Sequence, residues 1–264
     1  MSEYEQNHVE QNTAPAPAPE TPNQNLPDSQ IKVEKLPSKG LSYPEGVEIH
    51  YQPYTFGEVK AFSQSKGKMS AAHSMDRVLK GIHVAGMDKT ELTFFDFLYI
   101  SLLRRLSTMN AIEFKLGVGC PACGSAVTHT FSWEGLVFED IPAPKLPIIV
   151  SLCGKTDVRF KPLTVGQYQE LSRRQLDDDS VAIAAIQSSL PFDEAMQLFA
   201  DAVGDDAALL DEIDRLLYHD LKPAAVACGN CEHKFSAALD DEASLISPFR
   251  KSNSASGARI RFGD

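Results

Sequence analysis

Pro53-Tyr54-Thr55-Phe56-Gly57-Glu58-Val59-Lys60-Ala61-Phe62-Ser63 returns, altered, as Pro162-Leu163-Thr164-Val165-Gly166-Gln167-Tyr168-Gln169-Glu170-Leu171-Ser172, and this pair of stretches decides the fold. Pro53, Thr55, Gly57 and Ser63 recur as Pro162, Thr164, Gly166 and Ser172 at a constant offset of 109. Conservative pairs keep that offset: Ile49 with Val158, Tyr51 with Phe160, Glu58 with Gln167, Phe62 with Leu171. Downstream of each stretch lies a Cys-x-x-Cys knuckle. Cys120-Pro121-Ala122-Cys123 and Cys228-Gly229-Asn230-Cys231 are 108 residues apart. The chain therefore reads as two copies of one unit, each ending in half of a metal site.

Local patterns within each copy agree. Val47 to Tyr51 alternates as a short strand, and Pro53 ends it. Thr55-x-x-Glu58 and Thr164-x-x-Gln167 are capping boxes, so a helix should start at each. The first copy continues with a helix at about 70–81, a turn at Gly86 and an apolar helix from Leu92 to Leu106. Ile112, Phe114, Leu116 and Val118 alternate as a strand into the first knuckle, with Thr128 to Trp133 returning. The second copy has a strand at 157–161, a helix from 165, and further helices near 181–188, 192–203 and 206–218. Ala224 to Ala227 leads into the second knuckle and Lys234 to Ala238 leads out. The expected fold is α+β: two pseudo-equivalent repeats of strand, capped helix, helices and strand, joined by a split four-cysteine zinc ribbon. The first repeat spans 31–145 and the second 146–249. Residues 1–30, with the run Ala14-Pro15-Ala16-Pro17-Ala18-Pro19, read as a disordered, acidic, proline-rich tail. Residues 250–264 read as a flexible C-terminal tail.

Zinc prefers four tetrahedral ligands, and thiolates suit it. Each knuckle places two sulfurs on one side of a metal, so Cys120, Cys123, Cys228 and Cys231 complete one shell. Gly124 and Gly229 supply the tight backbone. Four cysteines leave no open position for water, so the zinc is structural and not catalytic. Neither pair opens a helix after a strand, which excludes a thioredoxin-like redox role. His129 and His233 read as surface or supporting groups, and Cys153 as a small buried hydrophobe. Tyr218-His219-Asp220 sits at an expected helix end, where a histidine suits the helix dipole.

Composition bounds the remainder. The chain has 264 residues, 43% of them hydrophobic, enough for an ordinary core. No apolar run reaches a membrane span, and the N-terminus lacks the blocks of a signal peptide. A reducing cytosol is the expected compartment, where paired Cys-x-x-Cys motifs bind metal. A net charge of -11 argues against broad nucleic-acid binding. The charge is uneven. Residues 170–220 carry thirteen acids and three arginines, a net of -10, whereas 58–110 carry eight bases and five acids, a net of +3. Two faces for different partners, mutual attraction across an assembly, and two ordinary solvated surfaces all fit this divergence. No Gly-rich phosphate loop, Gly-x-Ser-x-Gly or His-Glu-x-x-His is present. No catalytic residues are expected.

Leu36-Pro37-Ser38-Lys39-Gly40-Leu41-Ser42-Tyr43-Pro44, followed by Val47 to Tyr51 and Pro53-Tyr54-Thr55-Phe56-Gly57-Glu58, resembles the baseplate hub proteins of T-even-like contractile-tailed phages. The likeness is best over 36–63 and continues weakly through 91–106 to the first knuckle. It implies a nonenzymatic structural or assembly component of a tail baseplate hub. Its place would be the virion tail baseplate, or the host cytoplasm during assembly. The implied partners are other baseplate and hub proteins, with room for a homo-oligomer and with neither nucleic acid nor membrane. The acidic second copy and the long N-terminal tail depart from the family pattern. The rival reading is a zinc-ribbon adaptor or nucleic-acid-associated regulator, which a basic stripe on the ribbon strands would favour.

Overall fold

Ile49 and Tyr51 alternate with polar residues, and both are buried on one face of a strand, β2 (Glu48–Tyr51). It is the middle strand of a small antiparallel sheet between β1 (Ile31–Lys32) and β3 (Ile82–Ala85). Gln52 donates its backbone N–H to Gly81 O at 2.9 Å, and Pro53, which has no N–H, ends the pairing. Helix α1 (Phe56–Gln64) starts at once. Thr55 donates its N–H to Glu58 Oε2 at 2.7 Å, and Glu58 N–H returns to Thr55 Oγ1 at 3.3 Å. Partial burial pushes the Glu58 carboxyl up, but the Thr55 bonds and the Arg104 guanidinium outweigh it and hold it below the ordinary carboxylate range.

This computed structural model describes residues 30–64, 70–109, 113–132, 145–217 and 224–237. The expected tails lie outside that set, apart from Gln30. So do Trp133, Tyr218-His219-Asp220 and the ends of the expected ribbon strands at Ile112 and Ala238.

The second occurrence of the motif behaves like the first. Strand β7 (Lys155–Phe160) pairs antiparallel with β6 (Ile148–Leu152). Lys161 N–H then reaches Gln187 O at 3.1 Å, as Gln52 reaches Gly81. Pro162 follows, and Thr164 caps α4 (Val165–Arg174) in a reciprocal capping box with Gln167. A polar-capped helix comes next in both places: α2 (Ala71–Leu79) behind Ser70, and α5 (Ser180–Gln187) behind Asp179. The second stretch adds α6 (Phe192–Ala200) and α7 (Asp205–Leu217). The class is mixed α+β with small antiparallel sheets.

Helix α3 (Phe94–Met109) is the axis of the larger core, buried on nearly every face between Phe94 and Leu106. It starts two residues later than the sequence pattern suggests. Leu92 and Thr93 are extended there, because Thr93 forms an antiparallel bridge with Thr164. It also runs past Leu106, where the apolar pattern stops. Thr108 bonds Arg104 O and receives Tyr54 N–H, which holds the polar last turn in place. The core around α3 includes Ile49, Phe62, Met75 and Val78 from the first stretch, and Leu163, Val165, Tyr168 and Leu171 from the second. The ribbon is thus not the only joint between the two halves. A second cluster gathers Leu152, Val158, Phe160, Phe199, Ile213 and Leu217.

Two polar side chains inside the larger core escaped the sequence reading. Arg104, 1% exposed, donates to Gln52 O at 2.7 Å, Val78 O at 2.6 Å and Glu58 Oε1 at 3.3 Å, and lies over the Tyr54 ring at 3.9 Å. Its guanidinium occupies the space where a Cβ at position 81 would fall, 2.0 Å from Nη2, so only glycine fits there. Asp96, also buried, accepts Ser38 N–H at 2.9 Å together with the Ser38 and Tyr43 hydroxyls. These bonds tie the loop 38–43 to the first turn of α3. Burial pushes the Asp96 carboxyl up; the Ser38 and Tyr43 bonds oppose it but do not cancel it.

Three strands were also missed: β1 and β3, which are short, and β6 (Ile148–Leu152), whose apolar run Ile148-Ile149-Val150 does not alternate. Cys153 differs from the expected buried hydrophobe. It is half-buried in the two-residue turn between β6 and β7, with φ of 51° followed by 74° at Gly154, and its Sγ lies 3.6 Å from Leu198 O.

Thr55→Ala and Thr164→Ala should each cost about 1 kcal/mol in urea unfolding. Asp96→Ala should cost about 2–3 kcal/mol, because it strands buried donors. Asp96 has a folded pKa above its unfolded one, so its ionised form costs stability above the ordinary carboxylate range. Asp96→Asn, which keeps an acceptor and carries no charge, should therefore lose less than Asp96→Ala.

Candidate metal centre

Two hairpins carry the knuckles. In one, β4 (Glu113–Gly119) pairs with β5 (Ala126–Ser132), with Gly119 opposite Ala126. In the other, β8 (Ala224–Ala227) pairs with β9 (Lys234–Ala237), with Ala227 opposite Lys234. Val118 and Val226 are buried against each other with Val127 and Phe235. This small apolar contact sets the two knuckles side by side.

The knuckle loops match bond for bond. Cys120 N–H donates to Ser125 O at 2.9 Å, and Cys228 N–H to His233 O at 2.9 Å. Gly124 N–H donates to Cys120 O at 2.8 Å, and Glu232 N–H to Cys228 O at 2.9 Å. The left-handed residue is Gly124 in the first loop, with φ of 70°, and Glu232 in the second, with φ of 60°. This corrects the role given to Gly229, which has no left-handed conformation here. A glutamate tolerates that conformation at a cost of about 1–2 kcal/mol.

The four sulfurs of Cys120, Cys123, Cys228 and Cys231 lie within 4.8 Å of one another, close enough to hold one metal ion. Cys120 and Cys228 are buried, Cys123 and Cys231 exposed. Across the two hairpins, Cys120 Sγ is 3.7 Å from Cys231 Sγ and Cys123 Sγ is 3.6 Å from Cys228 Sγ. A disulfide would need about 2.0 Å, so these are free thiols facing a common centre. The four cysteines that the sequence pattern sets together are also together in space. His129 on β5 and His233 beyond the second knuckle are outside the four-sulfur set.

Supporting groups around the sulfurs were not anticipated. Asn230 donates to Ser125 Oγ at 3.0 Å and to Cys123 Sγ at 3.8 Å, linking one knuckle to the other. Ser125, through its hydroxyl and backbone N–H, draws the Cys123 thiol down to about 6. The His233 backbone N–H acts the same way on Cys231, but the neighbouring cysteines, Cys123 foremost, outweigh it and push that thiol up to about 12. A dication held at the centre would favour the thiolate form of its cysteine ligands.

The chain matches no protein-family model, no curated protein and no solved structure. Among the described residues, no helix is long and apolar enough to cross a membrane.

Purified protein should bind one metal ion per chain, and Cys120→Ser or Cys231→Ser should abolish binding and promote aggregation. Chelation should abolish hydrogen-exchange protection in β4, β5, β8 and β9 and leave far-ultraviolet circular dichroism of the helices nearly unchanged. Metal analysis and hydrogen exchange check the two outcomes.

Proposed function

We propose that the protein is a nonenzymatic component of a phage tail baseplate hub, or a factor in its assembly. In this reading one structural zinc ion clamps two copies of a single unit. The observation that carries it is the stretch Leu36–Pro44. It bears the resemblance to baseplate hub proteins, and its Ser38 and Tyr43 both bond Asp96 at the head of α3. The likeness therefore falls on residues that one physical contact holds together, not on scattered surface positions.

The two-copy architecture draws support from matched bonds. Thr55 and Thr164 cap in the same way, Gln52 and Lys161 donate to equivalent carbonyls, and the knuckle loops share their hydrogen bonds. Tetrahedral zinc with Zn–S of about 2.3 Å spaces its sulfurs about 3.8 Å apart. The separations of 3.6 and 3.7 Å suit that shell. Four thiolates also suit iron, but only zinc, which has no redox chemistry, makes a filled shell purely structural.

Elemental analysis of freshly reduced protein should find zinc at one equivalent; iron alone, or no metal, would reject zinc. Pull-downs from phage-infected cells should recover tail baseplate proteins. The acidic stretch 170–220 should contribute, so recovery should fall with salt, whose screening length is about 10 Å at roughly 0.1 M. Reversing Asp177, Asp178 and Asp179 to Lys should weaken it further. Recovery of nucleic acid without tail proteins would overturn the hub reading in favour of the zinc-ribbon adaptor. Mass spectrometry of purified particles separates a virion part from an assembly factor.

A further inference from the structure

Inside the four-sulfur centre, exposure and pairing run crosswise. Cys120 of the first knuckle is 3% exposed and Cys228 of the second 2%, whereas Cys123 and Cys231 face solvent. Each exposed sulfur stands beside a buried sulfur of the other hairpin. Cys123 Sγ lies 3.6 Å from Cys228 Sγ, and Cys231 Sγ lies 3.7 Å from Cys120 Sγ. Closing either gap to a bond of about 2.0 Å takes roughly 1.6–1.7 Å of movement, shared between two side chains. Val118, Val226, Val127 and Phe235 pack the hairpins against each other, and Asn230 fastens one loop to the other through Ser125. A group formed on either solvent-facing sulfur therefore has a second sulfur within reach, and that sulfur belongs to the opposite hairpin.

We propose that the centre is also a site of oxidative modification, at which a peroxide joins Cys123 to Cys228 and Cys120 to Cys231 and the metal leaves. The proposal deepens the metal-centre reading and is independent of the phage one. It differs from thioredoxin-type chemistry, in which the disulfide forms within one Cys-x-x-Cys.

The exposed sulfur takes the oxidant and the buried one resolves it. Cys123 thiolate attacks one oxygen of hydrogen peroxide. An S–O bond forms, the O–O bond breaks, and hydroxide leaves and is protonated by solvent to water. Cys228 thiolate then attacks the Cys123 sulfenic acid. The S–S bond forms, the S–O bond breaks, and a second hydroxide leaves as water. Two thiolates have given two electrons to one peroxide, and two protons from solvent end in the two waters. Cys231 and Cys120 repeat the cycle with a second peroxide. The nearby buried sulfur keeps the reaction reversible, because a sulfenic acid beside a thiol condenses to a disulfide before it oxidises further. The outcome is an exchange of clamps. The disulfides join positions 105 and 111 residues apart, on the same two hairpins that share the metal centre.

The test treats full-length, metal-loaded protein with hydrogen peroxide. A chromogenic chelator follows the metal, and non-reducing peptide mapping, with fragmentation between the two cysteines of each knuckle, follows the sulfurs. Two equivalents of peroxide should release one equivalent of metal. The map should show Cys120–Cys231 and Cys123–Cys228, with Cys153 still a free thiol, and Cys153→Ser should react in the same way. Hydrogen-exchange protection in β4, β5, β8 and β9, which chelation of the reduced protein should abolish, should survive in the oxidised, metal-free protein. Disulfides within the knuckles, Cys120–Cys123 and Cys228–Cys231, overturn the inference. So does metal that stays bound while all four thiols survive excess peroxide, or protection that is lost on oxidation. Protein purified without any metal would instead count against the metal reading, and the disulfide map would still decide the pairing.

Discussion

Phe94 N–H meets Leu163 O at 2.7 Å and Val165 N–H meets Leu92 O at 2.9 Å, a single antiparallel bridge between the halves of the chain. The rest of the body depends on it. The bridge sets the register at which α4 enters the first unit, and the side chains follow. Tyr168 stacks on Phe94 with centroids 4.0 Å apart and rings 12° from parallel. Leu163, Val165 and Leu171 close the core over α3. Full burial of each such aliphatic side chain is worth about 1.5–3 kcal/mol, and the ring stack about 0.5–1.5 kcal/mol more. Exposed ion pairs such as Glu170–Arg174 and Glu212–Arg215 contribute at most about 1 kcal/mol each. Apolar docking therefore decides how the halves sit, and surface charge does not.

The metal centre stands in a different energetic position. Val118 and Val226 are buried between the two hairpins beside Cys120 and Cys228. Structural zinc in small peptides supplies about 10–16 kcal/mol at neutral pH, so a metal ion held by the four sulfurs would add substantially to that contact. Chain separation is no obstacle. The knuckles are 108 residues apart, but closure entropy grows only logarithmically with loop length, and α3 ends at Met109 and α7 at Leu217, 11 residues before Cys120 and Cys228 respectively. The body has its own large core around α3, and a metal ion bound at the four sulfurs would hold the two hairpins to each other.

Much of this was legible in the sequence, for identifiable reasons. Capping boxes and Cys-x-x-Cys turns are local: the residues that make Thr164 a cap, or Cys228 and Cys231 a pair, lie within four positions of one another. The α+β class, the helix starts and the four sulfurs came from such signals. Asp96, Arg104 and Asn230 were illegible because their partners are 58, 52 and 107 residues away. Nothing near Asp96 marks it as buried, and an arginine in an apolar run reads as its solvent edge. Gly81 was the available hint, a glycine in a tight place, but its meaning required knowing which side chain fills the space. Glu232 misled in the opposite direction, since a left-handed glutamate has no sequence signature and Gly229 offered a more obvious candidate.

The uneven charge of α3 and α7 goes with a difference in burial. Aligned from their first backbone bonds, Phe97 N–H to Thr93 O and Ala208 N–H to Gly204 O, Leu102 and Leu106 of α3 correspond to Ile213 and Leu217 of α7, and all four are buried. On the opposite side, Ile100 and Leu103 are buried in α3, where α7 has the exposed Asp211 and Asp214. The difference is what covers that side. α3 is covered on that side by Leu163, Val165 and Leu171, whereas the matching side of α7 is exposed among the described residues. An apolar residue there would meet water, and an acid keeps the face soluble. The acidity of α7 thus tracks the exposure of that face among the described residues.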